Sequence, residues 1–432
     1  MKDVRNRRPI ELALVVFLLF GCAARAAASP GDPATDEAPE TIREGGLPTP
    51  AAEDRALVEQ LESIGYLEGS QAAPAQQGVT IHDRARAYAG LNLVTSGHGT
   101  EALLMDMDGE VLHRWSAGFD ELYPDSKVRG GHPGRPFWRR AALYPNGDLL
   151  VIFEGLGIAK LDAESRPIWT SDLRAHHDLE IMPDGSIYVL TRKLSIRPVL
   201  QGKKLFVEDF VVQLGADGQL LRSVSLFDAL LDSPYAALYS PHENTARDVF
   251  HTNTLAVLRP RSGVWPPGFA PGRVLVALPM LNVTAVVDLD EERVVWAHRG
   301  DYRFHHDPEL LSNGRLLIFD NKGNAGRSRV LELDPATGEI AWEYTGSPGR
   351  TLHSDTCSTA QRLPNGNTLI TESDPGRALE ITPEGEMVWE FVSPHRAGKD
   401  GELVATLFEV LRLPADFPTP WARNGAPAVA ED

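Results

Sequence analysis

The stretch STAQRLPNGNTLITESDPGRALEITPEGEMVWEF (residues 358–391) decides the fold. It consists of short apolar runs separated by Pro-Asn-Gly, Asp-Pro-Gly and Pro-Glu-Gly. Asn-Gly between apolar runs is a strong β-hairpin signal, because both central turn positions favour positive φ. Runs of this length are typical of sheet strands. The stretch therefore predicts a unit of four antiparallel strands whose last strand contains Trp389.

The same form recurs along the chain. Four further units and a partial first unit occupy residues 141–170, 179–225, 252–298, 307–344 and 92–115. Their last strands carry a residue at the position of Trp389, namely Trp115, Trp169, Val224, Trp296 and Trp342. Six repeats of four short antiparallel strands predict an all-β fold, a six-bladed β-propeller of four-stranded antiparallel blades.

The partial first unit lacks an inner strand. The C-terminal segment TLFEVLRLP (406–414) is apolar and can supply it. We therefore expect the propeller to be closed by pairing of N- and C-terminal strands, which leaves no open sheet edge.

Composition excludes several function classes. The 432 residues include 42 Lys+Arg and 60 Asp+Glu, which gives a net charge of −18. This balance argues against nucleic acid as a partner, since that requires a basic surface. Two cysteines, Cys22 and Cys357, cannot build a disulfide framework, and no paired-cysteine zinc motif or phosphate-binding P-loop motif occurs.

The N-terminus predicts export. Basic residues precede the apolar run LALVVFLLFGCA (12–23), which is shorter than the ~20 residues that span a bilayer. Leu19-Phe20-Gly21-Cys22 resembles a bacterial lipobox, so we expect a signal peptide over 1–21 and a lipid anchor on Cys22 at the membrane. Cleavage after the alanines at 26–28, giving a plain secreted protein, and an uncleaved signal anchor are the alternatives. Either cleaved form is exported, to the periplasm or the cell surface.

The rest of the chain divides into three parts. Residues 22–79 are rich in Ala, Pro and acidic residues and predict a disordered tether with a short helix at 56–69. Residues 80–415 form the predicted propeller, and 416–432 a C-terminal tail. In an oxidising compartment Cys357 is expected to be buried rather than catalytic.

Histidines recur at one place in the repeat. They precede or begin the first strands of four units, as His176-His177-Asp178, His251-Thr252-Asn253, His305-His306-Asp307 and His353. In a propeller these strands line the central channel, so the four groups are expected to converge on one mouth. Imidazole can serve there as a nucleophile, a general acid or a metal ligand. Histidines bonded within the sheets are the structural alternative.

Six motifs resemble those of the bacterial arylsulfotransferases that do not use a nucleotide sulfate donor. The motifs are LLMDMDGEVLHRW (103–115), HHDLEIMPDG (176–185), DVFHTNTLAVL (248–258), HHDPELLSNGRLLIFDN (305–321), SRVLELDPATGEIAWEY (328–344) and AQRLPNGNTLITE (360–372). The resemblance implies an exported six-bladed propeller. It also implies transfer of a sulfuryl group from an aryl sulfate to a phenolic acceptor, with no metal and no cofactor.

The resemblance also assigns roles to individual residues. It implies that His306 is the nucleophile, which becomes sulfated, and that His177, His251 and Asn253 donate to the sulfuryl oxygens. One of these histidines would protonate the leaving oxygen. We count His176, His305 and His353, from the same groups, as substrate-binding candidates.

One family position differs. The family has an arginine for the sulfuryl oxygens where this chain has Pro279, and proline donates no hydrogen bond. Arg303, Arg329 and Arg350 are candidate substitutes. A non-catalytic, lipid-anchored propeller that binds a ligand or a protein remains the main alternative function, and a metal-dependent hydrolase is a third. The loop RPRSGVWPPGFAPG (259–272) is either a rim for an aromatic substrate or a rigid surface loop. The sequence does not give the oligomeric state.

Overall fold

The computed structural model describes residues 69, 71–128, 132, 134–197, 204–240, 247–323 and 326–422. They belong to one compact unit, Thr49–Asp432, and a second unit, Met1–Pro48, lies outside them. The predicted signal peptide, Cys22, the helix at 56–69 (apart from its last residue) and most of the C-terminal tail also lie outside. None of the helices in the described part of the chain is both long and apolar enough to cross a membrane.

The described residues form an all-β fold with antiparallel four-stranded sheets, as the repeats predict. We number the large sheets in chain order. Sheet 1 contains the strands Gly90–Ser96, Glu101–Met105, Val111–Ser116 and Leu407–Pro414. Sheet 2 contains Arg140–Leu143, Leu149–Phe153, Gly157–Leu161 and Pro167–Ser171. Sheet 3 contains Ala175–Ile181, Ile187–Arg197, Lys204–Leu214 and Leu220–Ser225.

The remaining large sheets follow the same order. Sheet 4 contains Thr254–Val257, Val274–Leu278, Val283–Asp288 and Arg293–Arg299. Sheet 5 contains His306–Leu310, Leu316–Asp320, Arg329–Leu333 and Ile340–Tyr344. Sheet 6 contains Thr359–Arg362, Thr368–Glu372, Arg377–Ile381 and Met387–Val392, and Gly78–His82 adds a fifth strand at its outer edge.

Small elements connect or flank the sheets. Among the described residues, the helices are Phe119–Leu122 and Leu226–Leu231, with 3-10 turns at Ala236–Leu238 and Pro279–Leu281. Short strands are Gln71–Ala72, Gly346–Ser347, Arg350–Thr351, Arg396–Ala397 and Leu403–Val404. The strands thus begin upstream of residue 80.

Turn glycines and outer-strand tryptophans set the sheets side by side. Gly147 and Gly366 have φ of 91° and 90°, the left-handed region that the Asn-Gly turns require. Trp169 Nε1 donates to the carbonyl of Ala216 in the outer turn of sheet 3, and Trp389 Nε1 to that of Met107 in sheet 1. Both tryptophans therefore bind the neighbouring sheet through a backbone carbonyl.

The apolar core lies between neighbouring sheets. Ile152 of sheet 2 packs with Val189 and Phe210 of sheet 3, all nearly inaccessible to water. Leu369 and Trp389 of sheet 6 pack against the Val94 side of sheet 1 in the same way. Burial of branched side chains in strands exposed on neither face contributes most of the stability of such a fold.

The C-terminal strand completes sheet 1. Leu407–Pro414 pairs antiparallel with Gly90–Ser96, so that Gly90 lies opposite Pro414 and Ser96 opposite Leu407. It fills the position that the sequence repeat left without a strand. Arg412 on this strand is fully buried and binds Glu380 of sheet 6 and Asn92 of sheet 1.

Candidate active site

Two candidate histidines have strained backbone conformations. His177 and His251 have φ of 54° and 50°, a region that residues with a side chain rarely adopt. The strand that carries His177 also changes register between Ala175 and Leu179. Bulges of this kind redirect a side chain and are common next to active sites. We call the end of the sheets where His177, His251 and His306 lie the histidine end.

The rings of His177 and His251 lie together. Their centroids are 4.9 Å apart and the ring planes are nearly perpendicular. Behind His177, its Nδ1 atom is 2.8 Å from Nδ1 of His176, so one ring donates to the other. Glu154 Oε2 accepts the backbone N–H of His177, and Oε1 is 3.4 Å from Nδ1 of the same residue. His176 and Glu154 thus hold the ring of His177.

Burial keeps His176 and His177 neutral. It lowers the pKa of both well below the ordinary value, and the positive charges of Arg192 and His251 lower it further. Glu154 and these two histidines have ligand atoms within 4.8 Å of one another, close enough to hold a divalent cation. In the arrangement described, however, the two Nδ1 atoms share a hydrogen bond.

His251 differs from the other histidines of the site because a carboxylate favours its charged form. Its Nδ1 atom is 2.5 Å from Asp248 Oδ2, and its backbone N–H donates to Asp248 Oδ1. Burial disfavours the charged ring, but the Asp248 carboxylate outweighs burial and raises the pKa of His251. Since Asp248 holds the Nδ1 proton, the protonated ring can give up the proton on Nε2.

His306 is fixed in one tautomer. Its Nδ1 atom lies 2.7 Å from Asn321 Oδ1 and 2.9 Å from the carbonyl of Phe304, and both partners only accept. Asn321 Nδ2 donates to the carbonyls of Ser354 and Cys357, which fixes the orientation of the amide. The ring proton is therefore on Nδ1, and Nε2 carries the lone pair. Burial, followed by the charge of Arg139, lowers the pKa of His306 to about 3.

Asn253 and His305 have partners within the protein. Asn253 Nδ2 donates to the carbonyl of His305, and its Oδ1 accepts from Thr254 Oγ1. Asn253 thus supports the strand that carries His306, while a contact with substrate stays a prediction. His305 is fully buried, its Nε2 is 3.0 Å from Thr284 Oγ1, and its ring packs on Tyr302. These are the contacts of a core histidine rather than of the substrate-binding residue we expected.

The other predicted substrate-binding residues are not brought to the histidines by any contact described here. The side chain of His353 is about half exposed, and its Nε2 is 4.0 Å from Asp355 Oδ2. Arg303 is exposed. Arg329 is buried and its Nε donates to Asp320, while Nη2 donates to the carbonyl of Asp301. Arg329 is therefore paired with a carboxylate inside the fold. Arg350 likewise donates to a carboxylate, that of Glu390.

Sequence reasoning missed Arg139. It is buried, its guanidinium lies over the ring of Phe408, and its charge lowers the pKa of both His177 and His306. Arg139 directly precedes the first strand of sheet 2, which is the repeat position that holds histidines in other units. That position is the signal that could have identified it. Arg192 also acts on the site, since its charge lowers the pKa of His177.

The aspartates next to the histidines join the sheets. Asp178 Oδ2 accepts the N–H of Leu255 in sheet 4, and Asp307 Oδ2 that of Ala360 in sheet 6. Arg140 Nε donates to Asp178, and Arg140 also pairs with Glu409. Burial raises the pKa of Asp307 to about 6 although Arg140 opposes the shift. These carboxylates position the strands that carry the candidate histidines.

Pro279 and the loop 259–272 lie at opposite ends of sheet 4. Pro279 begins the 3-10 turn between the second and third strands, at the histidine end. The loop leaves the first strand after Val257, which pairs with Val274 at the other end. This placement favours the surface-loop interpretation of 259–272 over a rim for the site. Cys357 is fully buried, as expected, and burial raises the pKa of its thiol to about 12.

The sequence of residues 140–394 matches the family described as Arylsulfotransferase (ASST). The chain belongs to the arylsulfotransferase family. A search of curated proteins finds no match to its sequence.

Three solved structures show partial likeness. A Bacteroides caccae protein of unknown function is 14% identical, with a TM-score of 0.44 over 70% of this chain and 93% of its own. A streptogramin B lyase is 13% identical, with a TM-score of 0.41 over 79% and 94%. The WD40 β-propeller domain of Doa1 is 13% identical, with a TM-score of 0.40 over 76% and 87%.

Proposed function

We propose that this arylsulfotransferase-family chain transfers a sulfuryl group from an aryl sulfate to a phenolic acceptor through a sulfated His306. Nε2 of His306 attacks sulfur, the N–S bond forms, and the bond from sulfur to the aryl oxygen breaks. The proton on Nε2 of His251 passes to the leaving phenolate. In the second half-reaction His251 takes the proton of the acceptor phenol. The phenolate oxygen then attacks sulfur and forms the new O–S bond, while the N–S bond breaks and its electron pair returns to Nε2 of neutral His306.

The observation that carries this proposal is that the pKa values of His306 and His251 are shifted in opposite directions. The pKa of His306 is lowered to about 3, whereas that of His251 is raised by Asp248. A neutral ring with a free lone pair suits a nucleophile, and a cationic ring suits a general acid. Environments that separate two pKa values in this way are typical of acid–base assignments in active sites.

We propose that Arg139 and Arg192 replace the arginine that the family has at the position of Pro279. The charge of each guanidinium lowers the pKa of His177, and that of Arg139 also lowers the pKa of His306, which supports a role for both arginines at the proposed site. A sulfuryl group gains negative charge on its oxygens during transfer, and preorganised donors stabilise that charge by a few kcal/mol each. His177 would donate to the same oxygens.

We further propose that the six sheets are the blades of one closed propeller. Three features support closure: the pairing of Leu407–Pro414 with Gly90–Ser96, the hydrogen bond from Trp389 to Met107, and the shared packing of sheets 6 and 1. The first strands of successive sheets also contact one another. Such a ring would bring the histidine groups of sheets 3, 4 and 5 to one channel mouth.

Export and anchoring belong to the proposal as well. The N-terminal pattern supports a signal peptide over 1–21, lipidation of Cys22, and a location in the periplasm or at the cell surface. The aryl sulfate and the phenol are the proposed small-molecule partners. The predicted chemistry requires no cofactor, because both half-reactions use only the side chains named above.

A transfer assay tests the function. The purified chain is given 4-nitrophenyl sulfate and a phenol in buffer with a chelator, beside His306→Ala and a control variant, His82→Ala. His82 is paired with Asp108 and belongs to none of the residues assigned here. We expect acceptor-dependent nitrophenol release by the wild type and the control, and at least a 10³-fold loss in His306→Ala.

Each other outcome points to one alternative. Release that requires metal and not acceptor would favour the hydrolase. No release by a folded chain with several donors would favour the binding propeller. Unchanged turnover in His306→Ala would exclude the sulfohistidine.

A further inference from the structure

A second group of histidines lies outside the candidate active site. His98 is in the turn between two strands of sheet 1, and Glu101 begins the next strand. His395 follows the last strand of sheet 6. One ligand atom from each of the three residues lies within 4.8 Å of the other two. The group therefore joins the first sheet to the segment that leaves the last.

The imidazole rings of His98 and His395 are stacked on each other. Their centroids are 3.5 Å apart and the planes are 10° from parallel. Nε2 of His98 is 2.5 Å from Oε1 of Glu101. Nε2 of His395 is buried and has no hydrogen-bond partner in the described structure. A buried polar atom without a partner is unfavourable, so it points to a ligand.

Neighbouring residues fix the orientation of the group. Without metal, Nε2 of His98 donates to Oε1 of Glu101. Ser96 Oγ bonds Nδ1 of His98, and its hydroxyl can also accept the ring proton there, which would leave the Nε2 lone pair for a metal ion. Arg114 binds Oε2 of Glu101, so Oε1 remains for a ligand. The backbone of His395 is held by Ala405 N–H at its carbonyl and by Ser393 Oγ at its N–H. Partners of this kind orient the ligands of metal sites.

We propose that His98, Glu101 and His395 bind one zinc ion through Nε2, Oε1 and Nε2. Two imidazoles and a carboxylate are a ligand set that zinc prefers, at about 2.0–2.2 Å from each atom. Tetrahedral ligand atoms are then about 3.3 Å apart, so Nε2 of His98 and Oε1 of Glu101 would separate by less than about 1 Å. At least one imidazole would also turn out of the parallel stack, so that the in-plane lone pairs of both rings meet at the ion. The fourth position would take water. The ion would link sheet 1 to the segment that follows sheet 6.

Zinc binding to the full chain tests the site. After removal of metal with a chelator, calorimetric titration with zinc chloride is compared for the wild type, His98→Gln, His395→Gln and His82→Gln. His82 also pairs with a carboxylate, Asp108, but has no second imidazole nearby in the described contacts, so it is the matched control. We expect one zinc per chain with micromolar affinity or better, a loss of at least 30-fold in both test variants, and none in the control.

Thermal unfolding provides a second readout. Zinc at a hundredfold excess over its Kd should stabilise the wild type by about 2.7 kcal/mol and raise its Tm by a few degrees. If the test variants do not fold, cobalt substituted into the wild type should give the visible spectrum of a tetrahedral site. The proposal is overturned by no zinc binding, by an octahedral cobalt spectrum, or by binding that both folded variants retain. A loss of zinc in His176→Gln instead would assign the ion to the candidate active site and also overturn it.

Discussion

Asn321 Oδ1 lies 2.7 Å from Nδ1 of His306, and Asn321 Nδ2 donates to two backbone carbonyls. The amide can therefore present only its oxygen to the ring. This relationship fixes the lone pair of His306 on Nε2. Burial, followed by the charge of Arg139, outweighs the opposing hydrogen bond to Asn321 and lowers the pKa of the ring to about 3. The amide thus leaves His306 in the state that the proposed nucleophile requires, whereas a carboxylate at the same place would favour the imidazolium form.

Replacing the Asn321 amide with a carboxylate should make His306 easier to protonate and so weaken it as the proposed nucleophile. In Asn321→Asp the new charge beside Nδ1 raises the pKa of His306 from about 3 towards the ordinary value. The ring is then protonated as the pH falls below that value, and transfer between pH 5 and 6 should decrease about tenfold or more relative to pH 8. A pH–rate profile measures this. Asn365→Asp, at an exposed turn, is the control that should keep the wild-type profile, and an unshifted acid limb in Asn321→Asp would contradict the assignment.

Asp248 should determine the alkaline side of the same profile. It raises the pKa of His251, so protonated His251 persists to higher pH and the rate falls as the pH rises through that value. In Asp248→Asn the pKa is lower, and the decline should begin at a lower pH. The defect should be larger for phenyl sulfate than for 4-nitrophenyl sulfate, because the poorer leaving group needs the proton more. Asp232→Asn, at an exposed position, is the control; equal defects for both donors would argue against His251 as the acid.

The fold was predictable because its signals are local. Turn glycines and outer-strand tryptophans recur within single units, and the position of His306 at the start of a strand follows from the same repeat. The contacts that give each histidine its charge are not local. Asn321 follows the second strand of sheet 5, and Glu154 follows the second strand of sheet 2, so only the pairing register brings them to the rings.

Two features of the site could not be read from the repeat pattern. His305 and His306 are adjacent, but the first bonds Thr284 in the core and the second faces Asn321. Arg139 lies at the repeat position where other units have a histidine. A search restricted to imidazoles at that position therefore passes over the cation that acts on His306.

The buried pair of Arg412 and Glu380 should be essential to the junction of the chain ends. Nη1 of Arg412 is 2.9 Å from Glu380 Oε2, and neither side chain is accessible to water. Arg412→Met leaves the carboxylate buried without its charge partner, which should lower the free energy of unfolding by about 3–5 kcal/mol. Denaturant unfolding measures this. Arg84→Met removes an exposed pair with Asp108 and should cost less than about 1 kcal/mol. Equal costs in the two variants would show that the buried pair does not hold the junction.

Replacing Arg139 tests the proposal that this residue substitutes for the family arginine at the position of Pro279. Arg139→Ala should lower kcat/KM about 10²-fold, because a donor to the charged sulfuryl oxygens is lost from a site shielded from water. Arg139→Lys keeps the charge but loses the forked geometry, and should recover part of the rate.

A second readout separates this role from a merely structural one. The charge of Arg139 lowers the pKa of His306, so Arg139→Ala should move the acid limb of the pH–rate profile to higher pH, whereas Arg139→Lys should not. Inhibition by free sulfate should weaken in parallel. Arg84→Ala is the surface control, since its guanidinium binds only Asp108 in the described contacts. If Arg303→Ala rather than Arg139→Ala weakens sulfate inhibition, the sequence-based assignment of Arg303 would replace the one made from the structure.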